Sequence, residues 1–234
     1  MKTVVVTGGT RGIGHSIAKK FHDEGFEVYC LSRSEGSEKE NWHYIRCDIK
    51  DKSQVESFAG ILQSQQKTVH SLINNAGIAG RNSLDTDSDD KLWYDIIATN
   101  LHGPYHVCKA LIPHMPKGGS IINITSVLAH TGVPDQTAYC AAKHGLLGFT
   151  KSLAKNLASK GLTVNAIAPG WVETQMAKKR MDELELSEEE LCAMVPLKRF
   201  IDSTEIAEMA YYLAGPNARG ITGQSFVIDG GFLS

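Results

Sequence analysis

Short apolar runs rich in β-branched residues alternate with amphipathic helical segments along the chain. The runs expected to form strands are Thr3–Val6, Glu27–Leu31, Tyr44–Arg46, Ser71–Ile73, Ser120–Ile124, Thr163–Ile167 and Ser225–Ile228. Helices are expected at 13–21, closed by Gly25, and near 51–66, 90–114 and 137–159. Apolar strands joined by helices form right-handed βαβ units. The pattern therefore predicts an α/β chain with a doubly wound parallel sheet that carries helices on both faces.

The alternation of strand-like and helical segments continues along the chain without an internal repeat, a low-complexity tract or a shift in composition. At about 150 residues per domain, 234 residues correspond to about 1.6 domains, and the unbroken pattern favours a single domain over 1–234. Residues 172–203 interrupt the pattern with a charged helical stretch that follows Pro169-Gly170. A long excursion at such a place is typical of a substrate lid, and a solvated pair of surface helices is the alternative.

Composition excludes several classes of function. Twenty-four basic and 26 acidic residues leave a net charge of −2, which argues against a protein that grips nucleic acid or anionic lipid. No apolar stretch approaches the roughly 18 residues that cross a bilayer, and no signal peptide is visible before the first strand. The five cysteines are scattered without a Cys-x-x-Cys pair, as expected of reduced thiols in a cytoplasmic protein.

Two groups of residues imitate metal sites. Residues 85–96 begin with alternating aspartates like a calcium loop, but Asp90 and Ile96 stand where glycine and glutamate are needed. His102 and His106 have the spacing of a metal pair, yet a Gly-Pro pair separates them and no third ligand is suggested. We therefore predict no metal, and we interpret the aspartates as a solvated loop that caps the next helix.

A glycine-rich turn, Thr7-Gly8-Gly9-Thr10-Arg11-Gly12-Ile13-Gly14, lies between the first predicted strand and the first predicted helix. Glycines let a phosphate approach the backbone, and the helix N-terminus offers unpaired N–H groups with a partial positive charge. The spacing is Gly-x-x-x-Gly-x-Gly, not the Gly-x-Gly-x-x-Gly of many dinucleotide-binding folds. Its position between strand and helix still predicts a phosphate-binding turn.

From this turn to the C-terminus, the chain resembles the short-chain dehydrogenase/reductase family. The turn is similar to the family's Thr-Gly-x-x-x-Gly-x-Gly. Asn74–Gly77, Pro169–Thr174 and Ile228–Gly231 are similar to three further blocks of that family. The residues that stand in the family's catalytic order are Asn100, Ser126, Tyr139 and Lys143. The resemblance implies a Rossmann-like, single-domain oxidoreductase.

The resemblance also implies which residues bind a nicotinamide cofactor. Asp48, after the third strand, matches the family's adenine contact, and Pro169-Gly170 matches the segment beside the nicotinamide. With Tyr139 and Lys143, the implied set is Gly8, Thr10, Arg11, Gly12, Ile13, Gly14, Ser32, Arg33, Asp48, Asn75, Ala76, Gly77, Pro169, Gly170, Val172 and Thr174.

The pair Tyr139 and Lys143 suits the reduction of a carbonyl. Residues four apart share one helix face, so the phenol and the ammonium are expected to be neighbours. A phenol with a pKa near 10 would need roughly 4 kcal/mol of differential stabilisation to titrate near pH 7, and a nearby cation contributes to it. Ser126, at the end of the fifth strand, is placed to hold the carbonyl oxygen beside the phenol. The resemblance assigns Lys143 to the nicotinamide ribose and Asn100 to a water relay that returns the proton.

The end of the second strand bears on the choice between NAD and NADP. An acidic residue there accepts the ribose 2′-hydroxyl of NAD, whereas an arginine accommodates the 2′-phosphate of NADP. The strand ends Ser32-Arg33-Ser34 with no carboxylate before Glu35, and Arg11 is a second cation in reach. Two guanidinium groups without a competing acid favour NADP(H), and reduction is then the expected direction. An arginine that points into solvent is the alternative for Arg33.

Three stretches indicate the substrate class. Ala141–Ala154, Lys160–Asn165 and Ile221–Gln224 are very similar to β-ketoacyl-[acyl-carrier-protein] reductases. The resemblance implies a carrier-bound substrate that meets basic residues near the mouth of the site. The candidates are Lys117, Lys160, Lys178, Lys179 and Arg180. A reductase of another small ketone, an aldehyde or a sugar is the second hypothesis, and a non-catalytic NADP(H)-binding regulator is the third.

The same resemblance implies a homotetramer held together by the helices 98–115 and 137–159. Both segments carry long apolar faces. The alternative is that these faces pack only against their own sheet. The sequence fixes neither the exact carbonyl substrate nor the stereochemistry of the alcohol.

Overall fold

A computed structural model describes residues 1–34, 36, 39–84 and 90–234 of the chain. Across the described residues, seven strands form one parallel sheet: β1 Thr3–Thr7, β2 Glu27–Ser32, β3 Trp42–Arg46, β4 Val69–Asn74, β5 Ser120–Ile124, β6 Thr163–Pro169 and β7 Ser225–Ile228. Their order is β3-β2-β1-β4-β5-β6-β7. The chain winds outward in both directions from β1 and β4, so the predicted doubly wound, single-domain α/β fold is confirmed. In such sheets ligands bind outside the carboxyl ends of the strands, near the point where the order reverses.

Helices cover both faces of the sheet. They are α1 Gly12–Asp23, α2 Lys52–Ser64, α3 Asp90–Ile97, α4 Gly103–Leu111, α5 Thr137–Leu157, α6 Gln175–Leu184, α7 Glu188–Met194 and α8 Ser203–Ala214. A π-helical turn, Ala98–His102, joins α3 to α4, and short 3-10 turns lie at Ile112–His114, Val127–Ala129, Ala158–Lys160 and Pro216–Ala218. In the part of the chain that is described, no helix is both long and apolar enough to cross a bilayer.

The alternation of side chains along β1 explains the two cores. Val4 and Val6 belong to the cluster that includes α1 and α8, while Val5 belongs to the cluster that includes α2, α4 and α5. Successive residues of a strand point to opposite faces, and a sheet buried on both faces needs apolar residues at every position. All five residues of β1 are buried.

The connection between β2 and β3 differs from the prediction. The third strand was expected at Tyr44–Arg46, but β3 begins at Trp42, which is fully buried. Its indole N–H donates to the Cys30 sulfur at 3.3 Å, and its ring lies 5.4 Å from that of His15. A large aromatic residue beside a polar run therefore seals the edge of the core. The predicted aspartate loop falls largely on 85–89, outside the described residues.

The segment 172–203 leaves the sheet after β6 and returns before α8. A bridge between Val172 and Ile201 closes its base, and it contains α6 and α7. Thr174 caps α6 by accepting from the Ala177 N–H at 3.2 Å, and Ser187 and Glu190 form a capping box on α7. The segment is thus a two-helix insertion whose two ends are joined by the bridge between Val172 and Ile201.

Candidate active site

The carboxyl ends of the strands bring most of the predicted site residues together. The glycine turn follows β1, Arg33 follows β2, Asp48 follows β3, Asn75–Gly77 follow β4, and Ser126 follows β5. Gly170, Val172 and Thr174 follow β6, whose last residue is Pro169. Parallel strands place all of these connections at one edge of the sheet, which is where a dinucleotide is expected.

The glycine turn is a close-fitting cradle. Gly8 and Gly12 have φ values of 68° and 53°, a region that favours glycine. A Cβ on Gly14 would lie 2.3 Å from the Asn75 side-chain nitrogen and 2.3 Å from the Gly8 carbonyl oxygen. No side chain caps the N-terminus of α1, whose N-cap residue is Arg11. Backbone N–H groups at this helix end are therefore available to an anion.

Asn75 holds this turn in shape. Its side-chain amide donates to the Thr7 and Gly8 carbonyl oxygens at 2.9 and 3.2 Å. The backbone N–H groups of Asn75 and Ala76 both donate to the Thr7 hydroxyl, at 2.9 and 3.0 Å. Sequence reasoning assigned Asn75 to the cofactor alone, and its role in fastening β4 to the glycine turn was missed.

The two arginines at the predicted adenosine end have different surroundings. Arg11 donates to the Gln175 side-chain oxygen at 3.1 Å, which connects the glycine turn to the first residue of α6. Arg33 is exposed, and its charge contributes to lowering the pKa of Asp95, although Lys50, 2.9 Å from that carboxylate, is the larger cause. Sequence reasoning missed Lys50 and Asp95 because they lie on elements distant along the chain.

Three residues of the predicted catalytic set are neighbours at this edge of the sheet: Ser126, Tyr139 and Lys143. Tyr139 lies in the first turn of α5, close enough to Ser126 for that side chain to act on its pKa. Lys143 lies one turn later, is only 4% exposed, and donates to the Ile124 carbonyl oxygen at 2.8 Å. Its ammonium nitrogen is 5.5 Å from the centroid of the Tyr139 ring. The predicted neighbourhood of phenol and ammonium is therefore present, with the ammonium beside the ring.

Asn100 approaches the same group from another element. It lies in the π-helical turn between α3 and α4 and is fully buried. Its side chain accepts from the Ile78 N–H at 2.9 Å and donates to the Ile78 carbonyl oxygen at 2.8 Å. A Cβ on Gly77 would lie 3.3 Å from Asn100 Oδ1 and 3.7 Å from Lys143 Nζ. All four residues of the predicted catalytic set thus border one small volume.

Burial is the largest influence on the pKa values of Tyr139 and Lys143. Burial raises the pKa of Tyr139 to about 12, although the neighbouring Ser126 side chain acts in the opposite direction. Burial also lowers the pKa of Lys143 to about 8. The sequence led us to expect that Lys143 would acidify the phenol, but desolvation is the largest influence on the Tyr139 pKa and raises it. Tyr139 is therefore protonated at neutral pH, the form that a proton donor requires.

The two histidines considered for a metal have different surroundings. His106 Nδ1 lies 3.2 Å from the Ile49 carbonyl oxygen, and His102 is exposed. Among the described residues, no group of three or more His, Cys, Asp or Glu side chains is arranged to hold a metal ion.

Comparison with known proteins gives the family. A model of the family described as "Enoyl-(Acyl carrier protein) reductase" matches residues 8–233. The 3-oxoacyl-[acyl-carrier-protein] reductases of Haemophilus influenzae and Staphylococcus aureus are 38% and 36% identical, each over 98% of this chain and 97% of their own length. The chain belongs to the short-chain dehydrogenase/reductase family.

Solved structures of short-chain dehydrogenases/reductases share the whole fold. Ligand-free aldohexose dehydrogenase from Thermoplasma acidophilum aligns with a TM-score of 0.93 and 33% identity, over 99% of this chain and 94% of its own. A variant of actinorhodin polyketide ketoreductase with NADPH aligns with a TM-score of 0.89 and 34% identity, over 99% and 97% of the two chains.

Two of the predicted carrier-binding lysines of this short-chain dehydrogenase/reductase do not lie at its own active-site edge. Lys117 precedes β5 and Lys160 precedes β6, so both are at the amino edge of the sheet. A Cβ on Gly161 would lie 2.9 Å from Lys117 Cγ, which places the two lysine segments side by side. The 21 residues of α5 span about 31 Å between this edge and the first turn with Tyr139. These lysines therefore do not border the mouth of the site in their own chain, because the amino ends of β5 and β6 lie at the edge opposite Tyr139.

The three basic residues of the segment 172–203 that were predicted to bind the carrier are paired with acids. Arg180 binds Asp135 at 2.7 Å and Glu183 at 3.2 Å, and its side chain is largely buried. Lys179 lies 3.7 Å from Glu183, and Lys178 lies 4.0 Å from Glu173. Asp135 stands four residues before Tyr139, so the Arg180 ion pair ties α6 to the start of α5.

Proposed function

We propose that this chain is an NADPH-dependent reductase of β-ketoacyl thioesters carried on acyl carrier protein. The observation that carries the proposal is the buried Tyr139, with Lys143 Nζ 5.5 Å from its ring centroid and Ser126 beside it, at the edge of the sheet that also carries the glycine cradle. A reduction needs a proton donor beside the oxygen that becomes negative, and Tyr139 and Ser126 supply one.

The residues around the cradle fit a dinucleotide phosphate. Gly14 packs directly against Asn75 and the Gly8 carbonyl, where a Cβ would clash. The N-terminus of α1 has no side-chain cap, so its N–H groups can bind a phosphate. We assign Arg33 and Arg11 to the 2′-phosphate and Lys143 to the ribose next to the nicotinamide. NADPH supplies a hydride to the carbonyl carbon when it is bound.

The four residues of the catalytic set then have distinct roles. Ser126 Oγ donates a hydrogen bond to the carbonyl oxygen and holds it beside the phenol. Tyr139 transfers its proton to that oxygen as hydride reaches the carbon, so the C=O group becomes CH–OH. Positioned acid catalysis of this kind contributes about 10²- to 10⁴-fold to the rate. The Lys143 ammonium and Asn100 stabilise the phenolate and orient the water that returns the proton.

The proposed substrate rests on the relatives and on the segment 172–203. Two relatives of nearly equal length are named for the reduction of 3-oxoacyl groups on acyl carrier protein, and a structural neighbour is a polyketide ketoreductase. We interpret 172–203 as the lid over the acyl chain, because its base follows β6 at the edge where Tyr139 stands. An aldohexose is the second candidate, since the aldohexose dehydrogenase shares this fold at a TM-score of 0.93.

We also propose a cytoplasmic homotetramer. The cysteines of the described chain are all free thiols, as in reducing compartments. Tyr105 on α4 is 47% exposed, and its ring centroid lies 6.5 Å from that of Phe149 on α5. Two adjacent aromatic rings on outward helix faces fit an interface between copies, because exposed aromatic clusters mark association surfaces.

A panel of substrates tests the proposal. NADPH oxidation is measured with acetoacetyl-acyl carrier protein, free acetoacetyl thioester, crotonyl thioester and an aldohexose. The highest kcat/KM is expected for the carrier-bound ketone. Preference for the crotonyl thioester would mean that a carbon–carbon double bond is reduced, and tight NADPH binding without turnover of any carbonyl would identify a regulator.

The proton donor is tested separately with Tyr139→Phe. We expect kcat to fall by about 10²-fold or more while the NADPH Kd changes less than threefold. Tyr212→Phe, at an exposed tyrosine of α8, is the matched control and is expected to keep full activity. Turnover by Tyr139→Phe at the wild-type rate would remove Tyr139 from the mechanism.

A further inference from the structure

A chain of buried polar side chains crosses from β4 through β5 into α5. The Asn74 amide donates to Asn123 Oδ1 at 2.8 Å, and the Asn123 amide donates to the Thr150 hydroxyl oxygen at 2.8 Å. The Thr150 hydroxyl in turn donates to the Leu146 carbonyl oxygen at 2.8 Å. Asn123 and Thr150 are fully buried and Asn74 nearly so. Buried polar groups are costly unless they are bonded, so three in a row between apolar layers require a reason.

The hydrogen bonds of these three side chains all run in one direction, from Asn74 to the Leu146 carbonyl. The single proton of Thr150 is used by the Leu146 carbonyl, so the Thr150 oxygen must accept from Asn123. The Asn123 carbonyl accepts from Asn74, which leaves its amide pointing at α5. Reversing one link would set two donors or two acceptors against each other. The bond between Asn123 and Thr150 therefore links β5 directly to α5.

The two elements that it joins are those that carry Ser126 and Tyr139. Asn123 precedes Ser126 by three residues, and Thr150 follows Lys143 by seven, about two helical turns on the same face. The bond from Lys143 Nζ to the Ile124 carbonyl oxygen, at 2.8 Å, is a second link beside the first. Strand and helix are thus cross-linked at adjacent positions of β5, just behind the predicted reacting groups.

We propose that Asn123 and Thr150 are positioning residues for the carbonyl reduction, an inference that rests on the proposed function. Neither side chain touches the substrate or the cofactor. Their bond keeps α5 from sliding along β5, and so keeps the Tyr139 hydroxyl within reach of Ser126. A displacement of about 1 Å at the reacting atoms is enough to cost about 10²-fold in rate. We expect the loss of either side chain to lower kcat and to leave cofactor binding unchanged. The glycine turn proposed to bind the cofactor is held in shape by Asn75 and not by α5.

The test compares Thr150→Val with Thr150→Ser. Valine keeps the shape of threonine but removes the hydroxyl, whereas serine keeps the hydroxyl. We expect Thr150→Val to lower kcat by 10- to 100-fold, with KM and the NADPH Kd within threefold of wild type. The primary isotope effect with deuterated NADPH should rise, since hydride transfer from a misaligned complex becomes rate-limiting. Thr150→Ser should restore kcat to within threefold.

Ser120→Ala is the matched control. It removes a buried hydroxyl–hydroxyl bond of 3.0 Å between Ser120 and Ser71, which joins β4 to β5 at the opposite edge of the sheet. This variant should lose thermal stability and keep kcat. If Thr150→Val does not fold, Thr150→Ala removes the hydroxyl with a smaller side chain and is expected to show the same fall in kcat.

Three results would overturn the positioning role. They are a folded Thr150→Val or Thr150→Ala enzyme with kcat within threefold of wild type, equal losses in Thr150→Ser and Thr150→Val, and an equal fall of kcat in Ser120→Ala. Failure of the wild-type protein to reduce any carbonyl is a different result. It would overturn the proposed function, and the positioning role with it.

Discussion

Replacing Lys143 by methionine should stabilise the folded protein while abolishing its activity, and the stabilisation should depend on pH. Burial lowers the pKa of Lys143 from 10.5 to about 8. Each pKa unit corresponds to about 1.36 kcal/mol, so keeping this ammonium charged in the fold costs about 3 kcal/mol. Methionine has a similar length and no charge. The bond to the Ile124 carbonyl oxygen, worth about 1.5–3 kcal/mol for a charged donor, offsets part of the gain.

The pH dependence has a definite sign. Below pH 8 both the folded and the unfolded chain hold the proton of Lys143, and the folded state carries the full cost. Between about pH 8 and 10.5 the unfolded chain binds a proton that the folded chain lacks. The wild-type free energy of unfolding therefore rises by about 1.4 kcal/mol per pH unit from this residue alone. Other groups titrate alike in both proteins and cancel in the difference.

Urea denaturation at pH 7 and pH 10, at one fixed protein concentration and without cofactor, measures that difference. The advantage of Lys143→Met over wild type should shrink by about 2–3 kcal/mol between these two pH values. Lys151→Met, at an exposed lysine of the same helix, should show no such change. A difference for Lys143→Met that is the same at both pH values would refute the reasoning, because it would mean that burial does not lower the pKa of Lys143.

Two further changes test the cradle and the phosphate site. Gly14→Ala should destabilise the fold by about 3 kcal/mol or more and abolish NADPH binding, since its Cβ would lie 2.3 Å from a backbone oxygen. Gly60→Ala, in open space on α2, should stabilise by about 0.5–1 kcal/mol, and equal effects in chemical denaturation would disprove the cradle argument. Arg33→Ala should weaken NADPH binding at least tenfold more than NADH binding in fluorescence titrations. Arg219→Ala, at an exposed arginine that follows the turn Pro216–Ala218, should change neither. Equal losses of both cofactors would remove Arg33 from the 2′-phosphate site.

The sequence predicted the sheet well because its strands are buried on both faces. The run Ser120–Ile124 coincides with β5, in which every residue is buried, because a short apolar run rich in β-branched residues favours a strand inside a parallel sheet. Trp42 was misplaced for the opposite reason. It follows a polar run, and only the tertiary structure shows that its ring closes the core beside Cys30.

The site was predictable where residues are close along the chain and unpredictable where they meet through the fold. Tyr139 and Lys143 share a helix face, so their proximity followed from spacing alone. The edge of the sheet reached by Lys117 and Lys160 depends on the length of α5 and on the direction of β5 and β6, and the prediction for them was wrong within their own chain. Long-range partners such as Asp135 for Arg180 leave no local signal.

The opposing electrostatic demands on Tyr139 and Lys143 explain why the fold accepts an expensive site. Burial raises the pKa of Tyr139 and also makes Lys143 costly to charge. Opening this region to water would relieve Lys143, and it would also remove the desolvation that raises the pKa of Tyr139, the proposed proton donor. The strand and helix that enclose this region are therefore cross-linked by polar groups such as Asn123 and Thr150, where apolar packing alone would resist sliding poorly. The packing of α5 against β5 therefore both holds Tyr139 in place and buries the charge of Lys143.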